Sequence, residues 1–81
     1  MGITILDIPL KYRMPLQGKY NRAVLRCFCG SDELKAIGFA EFNGEVVVIK
    51  ECGECFEKCY HHCRQKGSAR TYIHYLELKQ K

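Results

Sequence analysis

The sequence predicts a small α+β domain in which a β-hairpin and one helix are held together by more than an apolar core. Three observations carry that prediction. Asn43-Gly44 stands between two apolar runs, "AIGFAEF" and "EVVVIK", and Asn-Gly is the favoured two-residue hairpin loop because both positions need positive φ. Cys55, Cys59 and Cys63 recur every four residues, which places them on one arc of a helix. Six cysteines stand in only 81 residues, a length at which a single core is thin and a disulfide, a metal or a partner is usually added.

Taken in order, "ITILDI" (3–8) reads as a short Ile-rich strand. Pro9, Pro15 and Gly18 then break the chain into an irregular basic segment, and "RAVLRC" (22–27) reads as a second strand entering the first cysteine pair. Closing the hairpin at Asn43-Gly44 pairs Phe42 with Glu45, Ala40 with Val47 and Gly38 with Ile49. One face then carries Ile37, Phe39, Val46 and Val48, and the other Ala40, Phe42, Val47 and Ile49. Both are apolar, so both need cover: a helix on one, and a terminal segment or a second copy on the other. Residues 53–66 read as that helix, with Arg64 and Lys66 in its last turn and Gly67 as its stop. "SARTYIHYLELKQK" (68–81) fits a helix face through Tyr72, Ile73 and Leu76, but its β-branched and aromatic content favours a strand.

The cysteines carry the chemistry. "CFCGS" and "CGEC" flank the hairpin, which leaves and returns to nearly the same place and so brings the two pairs together. Zinc takes four ligands tetrahedrally and suits thiolates, which selects Cys27, Cys29, Cys52 and Cys55 as one structural site binding one Zn²⁺ per chain. Cys59, His62 and Cys63 are alternative ligands, since helical spacing allows each to share an ion with a neighbour; the plainer role for Cys59 and Cys63 is to pack the helix onto the hairpin. The spacings match no familiar iron–sulfur run. No export signal precedes them, so a reducing, cytoplasmic setting and metal ligation are expected rather than disulfides. No apolar run is long enough to span a membrane.

A knuckle, a β-hairpin and a second cysteine pair opening a helix resembles the treble-clef zinc fingers over roughly residues 25–66. The zinc ribbon, with two knuckles and no helix growing from the second, is the runner-up. "CFC" has one intervening residue where the usual knuckle has two. The resemblance implies a structural metal and, with extra terminal strands closing the second hairpin face, one treble-clef-like domain over residues 1–81.

Four cysteines close a zinc shell, and there is no nucleophile elbow, phosphate-cradling glycine loop or H-E-x-x-H, so no enzymatic activity is expected. Charge suggests partners. Residues 1–26 carry five basic residues against one acidic, 27–57 two against seven, and 58–81 six against one, for a net charge of +4. The basic ends therefore point to nucleic acid, with Lys11, Arg13, Lys19, Tyr20, Arg22, Arg26, Arg64 and Arg70 as the contact residues. The alternative is a regulatory adaptor or inhibitor that binds a protein of the transcription machinery or a second copy of itself, a homodimer, through the two-faced apolar hairpin.

Overall fold

The computed structural model describes residues 3–16, 20–23 and 25–79. Among the described residues, four strands, β1 (Asn21–Arg22), β2 (Leu34–Phe42), β3 (Glu45–Cys52) and β4 (Lys58–His62), form one mixed sheet in the order β1-β4-β3-β2, and one α-helix, α1 (Lys66–Lys79), follows. The class is α+β, as the sequence predicts, but the elements around the hairpin differ from expectation.

The hairpin forms where expected. Asn43 and Gly44 adopt φ of 52° and 79°, and Phe42, Ala40 and Gly38 pair with Glu45, Val47 and Ile49. One departure is a bulge between Ala36 and Gly38, which inserts Ile37 as an unpaired residue and turns it to the opposite face. Ala36 therefore joins Phe39, Val46 and Val48 in the main core, while Ile37 packs with Ala40, Val47 and Ile49. Gly38 at the bulge permits a close crossing: a Cβ there would lie 2.5 Å from Met14 Sδ and 2.9 Å from the Tyr12 carbonyl.

Residues 53–66 are not a helix. After a turn, they continue as β4, which pairs antiparallel with β3 and parallel with β1. A spacing of four residues is even, so it keeps Cys59 and Cys63 on one face of a strand as well as of a helix. The neighbours decide: Cys59, His61 and Cys63 are buried while Tyr60 and His62 are half-buried, a period of two. Because a strand and not a helix grows from the second cysteine pair, the treble-clef layout is not formed, and the arrangement is that of two knuckles with no helix between the second and the sheet.

The helix lies further on. Ala69, Tyr72, Ile73 and Leu76 recur at i, i+3, i+4 and i+7 and seat α1 against Phe39, Val46 and Val48. That periodicity outweighs the β-branched content that favoured a strand, and Gly67 sits in the first turn of α1 rather than ending a helix. The expected N-terminal strand is instead a single 3₁₀ turn, Ile5–Asp7, closed where the Thr4 N–H donates to Asp7 Oδ2 at 2.8 Å and the Asp7 N–H to the Thr4 carbonyl at 2.9 Å. A second such turn spans Leu10–Tyr12. Of the expected strand over 22–27, Arg22 falls in β1, Leu25 and Arg26 lie in a bend, and Val24 lies outside the described residues.

Both hairpin faces are covered within one chain. Helix α1 and the buried Ile3, Ile8 and Tyr12 cover one. Met14, Leu16 and Tyr20 cover the other, with the Met14 N–H donating to the Phe39 carbonyl at 2.6 Å. A third apolar cluster, Cys27, Cys52 and Cys59, sits at the end of the sheet remote from the hairpin loop.

Candidate metal centre

Two tight turns meet at that end. In the first, the Gly30 N–H donates to the Cys27 carbonyl at 2.9 Å and the Cys27 N–H to the Ser31 carbonyl at 2.8 Å, with Gly30 at φ 96°. In the second, the Phe56 N–H donates to the Cys52 carbonyl at 3.1 Å and the Cys52 N–H to the Glu57 carbonyl at 2.9 Å. The Gly53 N–H, donating to the Glu33 carbonyl at 2.8 Å, ties one turn to the other. Gly53 itself has little room, since a Cβ there would meet Glu33 Oε2 at 3.1 Å.

This brings Cys27, Cys29, Cys52 and Cys55 together, with all four sulfurs within 4.8 Å of one another. Cys27 Sγ lies 3.4 Å from Cys55 Sγ, and Cys29 Sγ 3.7 Å from Cys52 Sγ. A tetrahedral ion with zinc–thiolate bonds of ~2.3 Å needs sulfurs about 3.8 Å apart, so the cluster is positioned to hold a metal ion and is consistent with zinc. Among the described residues no other group of three or more His, Cys, Asp or Glu side chains gathers in this way.

The electrostatics favour a cation. The N–H groups of Cys55 and Glu54 point at the Cys52 sulfur, at 3.5 and 3.4 Å, and hold its thiol down to about 6. The Cys29 N–H likewise lowers Cys27. At Cys55 the Glu57 N–H acts downward, but burial and the sulfurs of Cys27, Cys29 and Cys52 outweigh it and push the thiol up to about 12. Cys29 is raised because burial and the Cys27 and Cys52 sulfurs outweigh the Ser31 N–H and Cys55. The turns therefore promote the first thiolates, and crowding resists the last. A dication between the sulfurs removes that conflict.

The alternative ligands are dispersed. Burial, then the Cys27 sulfur, pushes Cys59 up to about 11, and it packs behind the tetrad as a neutral thiol. Burial raises Cys63 also, which lies in the main core with its Sγ 3.9 Å from the Gln65 carbonyl. His62 turns away, its Nδ1 3.1 Å from Glu45 Oε2.

The basic and aromatic candidates fall into two groups. Arg22, Arg26, Arg64 and Arg70 are exposed. Arg13 donates from Nε to the Ile8 carbonyl at 2.8 Å, Tyr20 packs on the sheet, and Lys11 lies 5.0 Å from the centre of the Tyr12 ring. Lys19 lies outside the described residues. The structure adds features the sequence reading missed. Leu25, Phe28 and Phe56 are 80, 88 and 70 % exposed around the cysteine turns. A cleft of about 390 Å³ opens between β1, β4 and the start of α1. No single motif could have flagged that cleft, because Arg22 stands nearly forty residues before the stretch 61–72 that supplies the rest of its lining.

No protein-family model, curated protein or solved structure matches the chain. Fold and site define the class: a small α+β protein with a four-cysteine cluster placed for a metal ion. No helix among the described residues is long and apolar enough to cross a membrane.

Proposed function

We propose that the protein is a non-enzymatic, intracellular zinc-binding regulatory module whose metal is structural and whose basic surface binds nucleic acid. The observation that carries the reading is the four-sulfur cluster, since four thiolates fill a tetrahedral zinc shell and leave no position for a reacting water. With the ion bound, the site's formal charge is −2, and Glu33, Glu54 and Glu57 stand beside it, so the cysteine turns repel phosphate. The exposed Arg22, Arg26, Arg64 and Arg70 are the groups suited to it. Native mass spectrometry of protein prepared without added metal is expected to give one zinc per chain. Cys52→Ser is expected to abolish that zinc, while Cys63→Ala keeps it and costs a few kcal/mol at most, as for a small buried apolar group. Zinc retained in Cys52→Ser would remove the assignment.

The protein-interaction reading is favoured by a separate observation, the exposed Leu25, Phe28 and Phe56 at the acidic cysteine end. Their partner would present an apolar pocket with a basic rim, as a protein of the transcription machinery or a second copy of the chain could.

A further inference from the structure

The cleft between β1, β4 and the first turn of α1 gathers two arginines from distant parts of the chain, Arg22 at the end of β1 and Arg64 between β4 and α1, with His62, Gln65, Ser68 and Tyr72 also on its wall. Packing does not account for the arginines, since both are exposed. Their charges are also under-compensated. Glu45 lies 3.8 Å from Arg64 Nε and 3.1 Å from His62 Nδ1, so one carboxylate faces both groups, and Arg22 has no acidic partner among the described residues. Two like charges held at one cavity repel unless an anion enters. A guanidinium fork suits the oxygens of a phosphate, and the Ser68 hydroxyl and Gln65 amide add neutral donors in the same cleft. At about 390 Å³ the cleft has room for a phosphate and its attached sugar. The first turn of α1 borders it, and the positive end of the helix adds to the potential already set by the side chains.

We propose that this cleft is a phosphate site that seats a backbone phosphodiester of single-stranded nucleic acid; the choice of nucleic acid rests on the function proposed above, the phosphate chemistry on the cleft alone. The test uses the full-length, zinc-loaded chain in two arms. One measures anisotropy of a labelled single-stranded oligonucleotide over a range of salt. The other titrates inorganic phosphate while following the arginine Nε–H signals by NMR. Arg22→Ala with Arg64→Ala is expected to weaken oligonucleotide binding about tenfold or more and to reduce the slope of log K against log salt by about 1.4, at about 0.7 per lost contact. Arg26→Ala with Arg70→Ala, outside the cleft, should lower both by less. Phosphate should shift Arg22 and Arg64 together. Oligonucleotide binding that ignores loss of Arg22 and Arg64 would overturn the cleft while leaving the nucleic-acid reading in place. Phosphate shifts at the two arginines with no oligonucleotide binding would keep the phosphate site and overturn nucleic acid as its source. Silence in both arms would overturn both. The wild-type phosphate arm keeps the test decisive if the double variant fails to fold.

Discussion

Phe56 shows how a single position is bent to the geometry of the cysteine cluster. It follows Cys55 directly, adopts φ 63°, and leaves its ring 70 % exposed. A bulky residue in the left-handed region costs about 1–2 kcal/mol, and an exposed ring recovers little of that by burial. The conformation persists because the Phe56 N–H must reach the Cys52 carbonyl to close the turn that aims both sulfurs. Phe56→Gly relieves that roughly 1–2 kcal/mol and gives back about 0.5–1 kcal/mol in unfolded-state entropy, so a net stabilisation of about 0.5–1 kcal/mol is expected, read as a higher urea midpoint at unchanged slope. A lower midpoint would mean that the ring makes a stabilising contact in solution, and the strain argument would fall.

At the scale of elements, the join between β4 and α1 is made by His61, whose Nε2 lies 3.4 Å from Tyr72 Oη while its Nδ1 faces the His62 carbonyl at 3.3 Å. Tyr72 in turn meets the Phe39 ring edge-on at 6.4 Å and carries Lys50 Nζ 5.2 Å from its ring centre. Burial is the main force holding the His61 pKa below its ordinary 6.5, and the charges of Lys50 and His62 add to it, against the opposing pull of the His62 carbonyl. The unfolded chain then binds more protons than the folded one below 6.5. Stability from neutral His61 is full above that value and is lost as pH falls toward the folded pKa. His61→Gln should flatten the fall in urea midpoint between pH 7 and 5.5, and an equal fall in both proteins would assign the acid sensitivity elsewhere, to the thiolates above all. This same strand marks the limit of what the sequence discloses. The hairpin and its register were legible because Asn43-Gly44 fixes the loop and alternation fixes the faces. Strand β4 was not, because cysteines four apart satisfy a helix and a strand alike, and the single inserted Ile37 leaves no local mark that could have announced the bulge. The four-cysteine site was legible for a different reason: paired ligands at either end of a hairpin meet whichever element follows them. The cleft at Arg22 and Arg64 was hidden because it depends on β1 lying beside β4, a parallel pairing between segments nearly forty residues apart.

For the whole molecule the question is whether the fold survives without the metal proposed for its cysteine cluster. A domain of 81 residues has a total stability of roughly 4–12 kcal/mol at about 0.05–0.15 kcal/mol per residue. Apparent binding free energies for structural zinc in small fingers are about 10–16 kcal/mol near neutral pH, which is as large as that whole sum. The geometry says where the contribution falls. The apolar cluster at the cysteine end is built from Cys27, Cys52 and Cys59, with Ala23, Leu34 and Cys55 at its margin, so four of its six members are thiols and Leu34 is the one large aliphatic side chain among them. The main core of Phe39, Val46, Val48 and Leu76 lies along the hairpin and α1, and Cys63 links it to β4. With no ion between them, four crowded thiols share a site where burial and the neighbouring sulfurs oppose ionising the last of them, and the two cysteine turns are tied by the Gly53 N–H to the Glu33 carbonyl. Strong chelation is therefore expected to unfold the chain cooperatively, with far-UV and near-UV dichroism lost together and restored when one equivalent of zinc is added. Retention of both signals in protein shown to be metal-free would mean that the hairpin and α1 hold the fold by themselves, and the ion would have to be given a role other than holding it. Loss of the near-UV signal alone would place the dependence in the cysteine turns and leave the sheet and helix standing.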